Sequence, residues 1–500
     1  MSTSPAPRST WNGVRPRRPR PWAAGVAAPD FAAVRAELEV PEEFPAEALA
    51  QAHAAAADPP LPDRDATDIP LVTVDPPGSL DLDQAVHICR DTTHAGNGFV
   101  VTYAIADVGA VVPLGSPLDA ESRRRGQTVY APDRRVPLYP PVLSEGAASL
   151  LADQVRAAAV WTIRLDADGE PTGVELVRAR VRSRAQLAYP DVQASADAGT
   201  LPEAISLLPE LGALLQRRAV ERGAIELGSP EQQVERAPGG GSDGWALALR
   251  ADLPVEGWNA QISLLTGRCA ARMMLDAGVG LLRTLPPPSV ETVAELRRVA
   301  QVLDVPWPEG ARPGEVLAAL DPTSPRSAAF REDAAALLRG AAYTPLTGPP
   351  PEEVGHGGVG APYAHVTAPL RRLVDRFGTE VCLALAAGAR PDPALVAALP
   401  ELPALMAASD RRTHAVERAV VDLTEAWVLR DRVGEVFDAV VVDAEQGTAG
   451  GGRHARATVV VDVPPIRARC TGDLTPGSRV RVRLVEADVE HRTVRFEVAP

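Results

Sequence analysis

Three aspartates within one short stretch carry the chemistry this sequence offers most directly. They are Asp75, Asp81 and Asp83, set in Leu71–Ile88, LVTVDPPGSLDLDQAVHI. Leu71 to Val74 is apolar and largely β-branched and predicts a short buried strand. Pro76, Pro77, Gly78 and Ser79 then force a turn that neither extends a strand nor starts a helix. If residues 80–84 are extended, Asp81 and Asp83 share a face, and the turn folds Asp75 back beside them. Crowded carboxylates repel unless a cation neutralises them, and hard oxygen ligands suit Mg²⁺ with substrate phosphate oxygens. The same spacing also suits a solvated acidic turn. It does not suit an EF-hand, because the double proline and the missing glutamate ligand break that pattern.

Composition narrows the chemistry further. All 51 basic residues are arginine, which excludes a P-loop lysine and a Schiff-base lysine. A net charge of −14 argues against indiscriminate binding to polyanions, although a local basic channel remains compatible with it. Cys89, Cys269, Cys382 and Cys470 lie far apart with no CxxC pair and read as buried thiols in a reducing cytoplasm. No apolar run reaches ~18 residues, and the N-terminus lacks the apolar core of a signal peptide, so a soluble protein without a membrane span is expected.

The elements that position the aspartates follow in order. Residues 1–30 are rich in Pro, Ser and Arg and read as a flexible arm, with helical patterning over 31–57. Phe99 to Val108 suits a central strand, and Val160–Leu165 with Val174–Val181 flank the hairpin signal Asp168-Gly169. Helical patterns occupy about 203–222, 258–283, 290–304 and 328–340. Thr367 ahead of Pro369 predicts a helix start with Arg371 and Arg372 in its first turn, which would make a phosphate site. The same arginine pair equally suits a solvated face with Asp375. Val416, Val420, Leu423 and Trp427 make a helical core stripe. Beyond Gly434, five short strands between turns predict an OB-type barrel. Its aromatics are Phe437 and Phe496, so arginine contacts would dominate any nucleic-acid binding. The fold class expected is α+β, with a sheet core surrounded by helices and a small barrel at the end. The divisions expected are 1–64, 65–432 and 433–500.

Several stretches, in order, resemble the RNase II/RNase R (RNB) family of processive 3′→5′ exoribonucleases. The spacing Asp75-x5-Asp81-x-Asp83 resembles its acidic motif, and Ile105-Ala106-Asp107-Val108 its "IADVS" strand. Leu118 to Leu150, Ser183 to Val192 and His414 to Ala426 match further family segments. Tyr363 to Arg372, YAHVTAPLRR, is similar to the signature "YAHFTSPIRR". The closing segment GDLTPGSRVRVRLVEADVEHRTVRFEV resembles the end of an S1 RNA-binding domain.

The resemblance implies a Mg²⁺-dependent exoribonuclease, with Mn²⁺ as an alternative ion, acting on single-stranded RNA with no obligate protein partner. It implies metal contacts at Asp75, Asp81, Asp83 and Gln84, and catalytic roles for Asp83, Arg371 and Glu417. Tyr130, Tyr189 and Arg372 would hold RNA. Read by themselves, the two tyrosines are core residues and Glu417 is an ion-pair partner of Arg418 or Arg412. Three departures from the family pattern stand out. Gln84 replaces the fourth acid. Gln261 or Ala260 stands where a glutamate associated with ribose recognition is expected, and the segment before residue 65 is too short for the two cold-shock barrels that the resemblance would place there. Gln84 favours a rival reading, an RNA-binding protein with weak or lost catalysis. The altered 259–264 segment motivates a third, a DNA-tolerant exonuclease.

Overall fold

The computed structural model describes residues 28–500 except 93–97, 229–230, 238–243, 322–323, 350, 445–455 and 462. Most of the arginine-rich arm, including Arg15, Arg17, Arg18 and Arg20, therefore lies outside the described residues. At the centre is an antiparallel sheet of four strands in the order Gln84–Arg90, Phe99–Ala106, Val155–Leu165, Pro171–Arg182. The apolar run at Phe99 fits its central place, since every residue of that strand but Val100 is buried. Asp168-Gly169 turns the third strand into the fourth, and Gly169 takes the left-handed φ of +78° that the turn needs. Thr73–Asp75 pairs in parallel with Gln186–Ala188, in a register that sets Asp75 opposite Ala188. A bridge from Val72 to Val86 holds this short strand against the main sheet.

Helices pack around the sheet to bury its apolar faces. Leu208–Arg222 and Pro254–Ala277 lie together, and Leu373–Ala386 packs against the second of them. The helical reading of 258–283 is too long. Gly278, at φ +66°, caps that helix in the left-handed region, and Val279–Thr284 leaves as a strand paired with Ala342–Thr347. The stripe Val416, Val420, Leu423 and Trp427 is buried along the helix Leu402–Leu429. Helices Phe31–Glu37 and Ala46–Ala57 match the patterning of the lead-in. Among the described residues no helix is long and apolar enough to cross a membrane.

The last five strands close a barrel in the order Val436–Ala444, Arg456–Val461, Ile466–Thr471, Thr493–Val498, Arg479–Asp488. Closure leaves no free sheet edge. Phe437 and Phe496 meet edge to face, with ring centroids 5.7 Å apart inside the barrel, and are both buried. The barrel core continues into Leu247, Ala426 and Leu429, so barrel and helix Leu402–Leu429 share apolar surface. Arg467 on the barrel also grips Glu332 bidentately, at 2.6 Å for each bond.

Candidate active site

Asp83 is the most enclosed of the three aspartates, at 3 % exposure. Its Oδ1 accepts from the Leu370 amide at 2.7 Å and its Oδ2 from Arg371 Nε at 3.2 Å. Burial pushes its carboxyl up to about 8 against the pull of Arg371 and the Leu370 amide, with Asp375 and Asp81 adding repulsion. Asp75, at the end of its short strand, is pushed up to about 6 by burial; Arg371 opposes the shift and Asp81 adds to it. Asp75 Oδ2 is buried and has no hydrogen-bond partner. Asp81 has partners of its own. It takes Arg135 Nη1 at 2.8 Å and the Tyr130 hydroxyl at 3.0 Å. Asp75 and Asp83 therefore both sense the charge of Asp81, but Asp81 and Asp83 each have their own cation.

The arginine pair does not begin a helix. Arg371 sits in the turn before it, and Arg372 is the residue preceding Leu373, with extended φ −134° and ψ 128°. Two constraints hold this segment out of the helix. Gln127 bridges Arg372 as in a sheet, and the Arg371 carbonyl accepts from the Thr128 amide at 3.0 Å. Arg372 is committed to Asp375 through two bonds of 2.9 and 3.0 Å, whereas the Arg371 side chain remains 46 % exposed. Of the two, Arg371 is the one free to meet a ligand.

Gln84 opens the first strand of the main sheet, and both ends of its amide are engaged. Its Oε1 accepts from the Tyr103 hydroxyl at 2.6 Å, and its Nε2 donates to the Thr367 carbonyl at 2.6 Å. Tyr103 in turn meets Ser263 at 2.9 Å. These bonds tie the first strand of the main sheet to the loop that carries Arg371.

The other candidates divide. Tyr130 is 45 % exposed and its hydroxyl is on Asp81, so it belongs to this site. Tyr189 follows the strand paired with Asp75, and its hydroxyl accepts from Asn259 Nδ2 at 3.2 Å. Glu417 is on the exposed face of the helix Leu402–Leu429, with His414 and Glu231 as its charged neighbours, and the structure does not gather it with the aspartates. Arg135 and Tyr103 are site residues that sequence reasoning missed, because each reaches its partner only through the fold. Three others surfaced only in other readings. Asn259 and Ser263 stood in the altered 259–264 segment. Asp375, seen as part of a solvated face, clamps Arg372 and accepts from the Ala368 amide at 2.7 Å.

A divalent cation suits part of this donor set. The ligands are hard oxygens, the Asp75 oxygen is buried without a partner, and burial holds the Asp83 carboxyl up in spite of Arg371 and the Leu370 amide. Among the described residues, no three Asp, Glu, His or Cys side chains gather into a metal-ligating group as they stand.

Comparison with known proteins decides the family. Residues 63–378 match the RNB domain, and residues 435–499 match the RNase II-type exonuclease C-terminal S1 domain. The chain belongs to the RNB family. Among curated relatives of this RNB protein, Ribonuclease R of Escherichia coli (strain K12) is 29 % identical over 417 residues, 75 % of this chain and 48 % of that protein. The exosome complex exonuclease RRP44 homolog A of Arabidopsis thaliana is 29 % identical over 320 residues, covering 61 % of this chain and 34 % of that one. The RNB chain thus spans half or less of these two relatives' lengths. Among solved structures, Mycoplasma genitalium RNase R in complex with ribose methylated single-stranded RNA aligns at TM-score 0.81. It is 19 % identical and covers 94 % of this chain and 78 % of that one. Yeast Ssd1, described as a pseudonuclease, aligns at TM-score 0.67 with 16 % identity, over 85 % of this chain and 53 % of that one. At these identities both structures speak to the fold alone.

Proposed function

We propose that this RNB protein is a metal-dependent exoribonuclease that hydrolyses single-stranded RNA from its 3′ end to 5′-nucleoside monophosphates. The observation that carries this reading is the meeting of a buried, proton-raised Asp83 with an exposed Arg371, next to the unpartnered oxygen of Asp75. Asp75, Asp81 and Asp83 would hold the ion, Mg²⁺ or Mn²⁺. When bound, such an ion supplies a Lewis acid and lowers the pKa of attached water.

The protein's own groups have separate tasks. Arg371 is placed to balance charge on the scissile phosphate, and its fork suits phosphate oxygens. Tyr130 offers an exposed ring above Asp81 for the last base, and Tyr189 lines the approach on the Asp75 side. Arg372 acts at one remove: its clamp on Asp375 fixes the loop that aims Arg371. Glu417 stands away from this group and is assigned no step. In this reading residues 65–432 form the catalytic unit, 433–500 an RNA-binding barrel, and 1–64 the arm and lead-in. The protein works without an obligate protein partner. Its four free thiols favour a cytoplasmic place.

A second reading has one observation behind it. Gln84 adds no charge and both its amide ends are used by the protein, which favours an RNB-fold RNA binder of weak or no activity. RNA labelled at its 3′ end separates the two. With Mg²⁺, an exonuclease releases the label as mononucleotide at the earliest times; an RNA binder retains it in full-length strand.

A further inference from the structure

Behind the helix Pro254–Ala277 lies a cavity of about 390 Å³ that the proposed reaction does not use. The helix presents Ser263 to Tyr103 on the catalytic side, whereas its Ala260, Gln261, Leu264 and Arg268 line this cavity. The opposite walls come from Leu208–Arg222, Pro313–Ala318, and Arg331 on Pro325–Ala334. The volume falls in the ~300–1,000 Å³ range of small-molecule sites.

Its charge is poorly balanced for an interior. Arg331 is 6 % exposed, and its Nε and Nη1 are buried with no hydrogen-bond partner; Asp321 is its opposing charge. Arg222 Nε and Nη1 are likewise buried and unbonded. Arg268, Arg222 and Arg218 all lean on one carboxylate, Glu170, at 3.2, 3.7 and 3.5 Å. Burial and the neighbouring Arg268 push the Arg222 guanidinium down to about 10, in spite of Glu170. Glu226 is the acid among the described residues that line the cavity, and it is exposed. Buried donors left without acceptors are costly, and chains keep them where a ligand supplies the acceptors. Guanidinium forks match phosphate oxygens, Leu215, Val220, Leu264 and Leu317 give apolar walls for a flat ring, and Gln216 and Gln261 bring amides to read ring edges.

We propose that this cavity is a second nucleotide site, which takes a free nucleoside 5′-monophosphate with its phosphate on Arg222 and Arg331. The inference rests on the cavity's chemistry and stands whether or not the chain hydrolyses RNA.

The test is thermal unfolding of the full chain with AMP, inorganic phosphate or adenosine at matched ionic strength. At ~5 mM, AMP should raise the midpoint by ~2 °C or more, phosphate less, and adenosine hardly at all. Arg331→Met should abolish at least half of the AMP shift while leaving the initial rate of RNA hydrolysis unchanged; Arg222→Met serves if that variant does not fold. Arg371→Ala should keep the shift. An AMP shift that is absent in the wild type, unchanged in the cavity variants, or lost in Arg371→Ala overturns the proposal. Single-stranded RNA bound to Asp83→Asn distinguishes a free mononucleotide from a strand: persistence of the AMP shift supports the separate site. Its loss makes the cavity part of the RNA path and overturns it.

Discussion

Asp83 and Arg371 lie 288 residues apart in the chain and meet at 3.2 Å, one nearly buried and the other half exposed. A carboxylate so enclosed depends on that cation, and the cation remains open to a phosphate on its other side. Removing Arg371 should therefore harm more than substrate contact. Arg371→Ala leaves Asp83 buried without its ion pair, at a cost below the ~3–5 kcal/mol of a fully buried pair because Arg371 is half exposed to solvent. We expect a lower unfolding midpoint together with lost hydrolysis, and a smaller loss of both in Arg371→Lys. Equal rates for Lys and the wild-type Arg would show that the forked geometry is not used.

Gln84 is expected to act on geometry rather than on metal affinity. Gln84→Glu keeps the acceptor for Tyr103 but loses the donor to the Thr367 carbonyl and places a charge against it. An unsatisfied buried group of this kind costs ~1–3 kcal/mol. The rate at saturating Mg²⁺ should fall, with the half-maximal Mg²⁺ concentration unchanged. A clear shift in that concentration, in a Mg²⁺ titration on one RNA, would place residue 84 on the ion.

Glu425 gives a pH dependence. It is 4 % exposed and accepts from Gln232 Nε2 at 2.7 Å and from the barrel's Arg467 amide at 2.8 Å. Burial raises its carboxyl from an ordinary 4.5 to about 7, against the pull of those two donors. A carboxyl raised in the folded state binds its proton more tightly there than in the unfolded chain, so this group's support for the fold declines as pH rises from ~4.5 through ~7. Glu425→Gln keeps both hydrogen bonds and carries no charge. Its unfolding midpoint should exceed the wild type's at pH 8 and converge with it near pH 5. A difference that does not depend on pH would rule out titration of Glu425.

The barrel's two phenylalanines should matter for stability and not for RNA. Both are inside, so Phe437→Leu and Phe496→Leu each trim the core, at ~1–2 kcal/mol. Stacking on a base is worth ~1–3 kcal/mol, so an RNA affinity unchanged within ~2-fold excludes such a contact. Binding through arginine would instead fall steeply with salt, and a titration from low to high salt reads that slope directly.

How far the site could be read from the chain depended on sequence separation. Asp75, Asp81 and Asp83 were legible because one turn holds them together, and the five barrel strands because alternation and turn residues punctuate them. Arg135 was not, since its bond to Asp81 spans 54 residues, nor was the 283-residue link from Gln84 to Thr367. The arginine pair shows why local rules fail. Thr367 and Pro369 do favour a helix start, yet pairing of 126–128 with 371–373 holds Arg371 and Arg372 outside it. Gly278 was the overlooked stop signal in the 258–283 pattern, visible in the sequence as the first of two glycines, with Gly280, that flank Val279.

We propose that the Asp83 carboxylate carries RNA hydrolysis. The most direct test is the turnover of Asp83→Asn against wild type on the same 3′-labelled single-stranded RNA with Mg²⁺, with RNA binding measured in parallel. Loss of one charged group at the reacting centre should lower turnover by ~10²-fold or more and leave RNA affinity within ~3-fold. Turnover of the asparagine variant within ~10-fold of wild type would contradict the account.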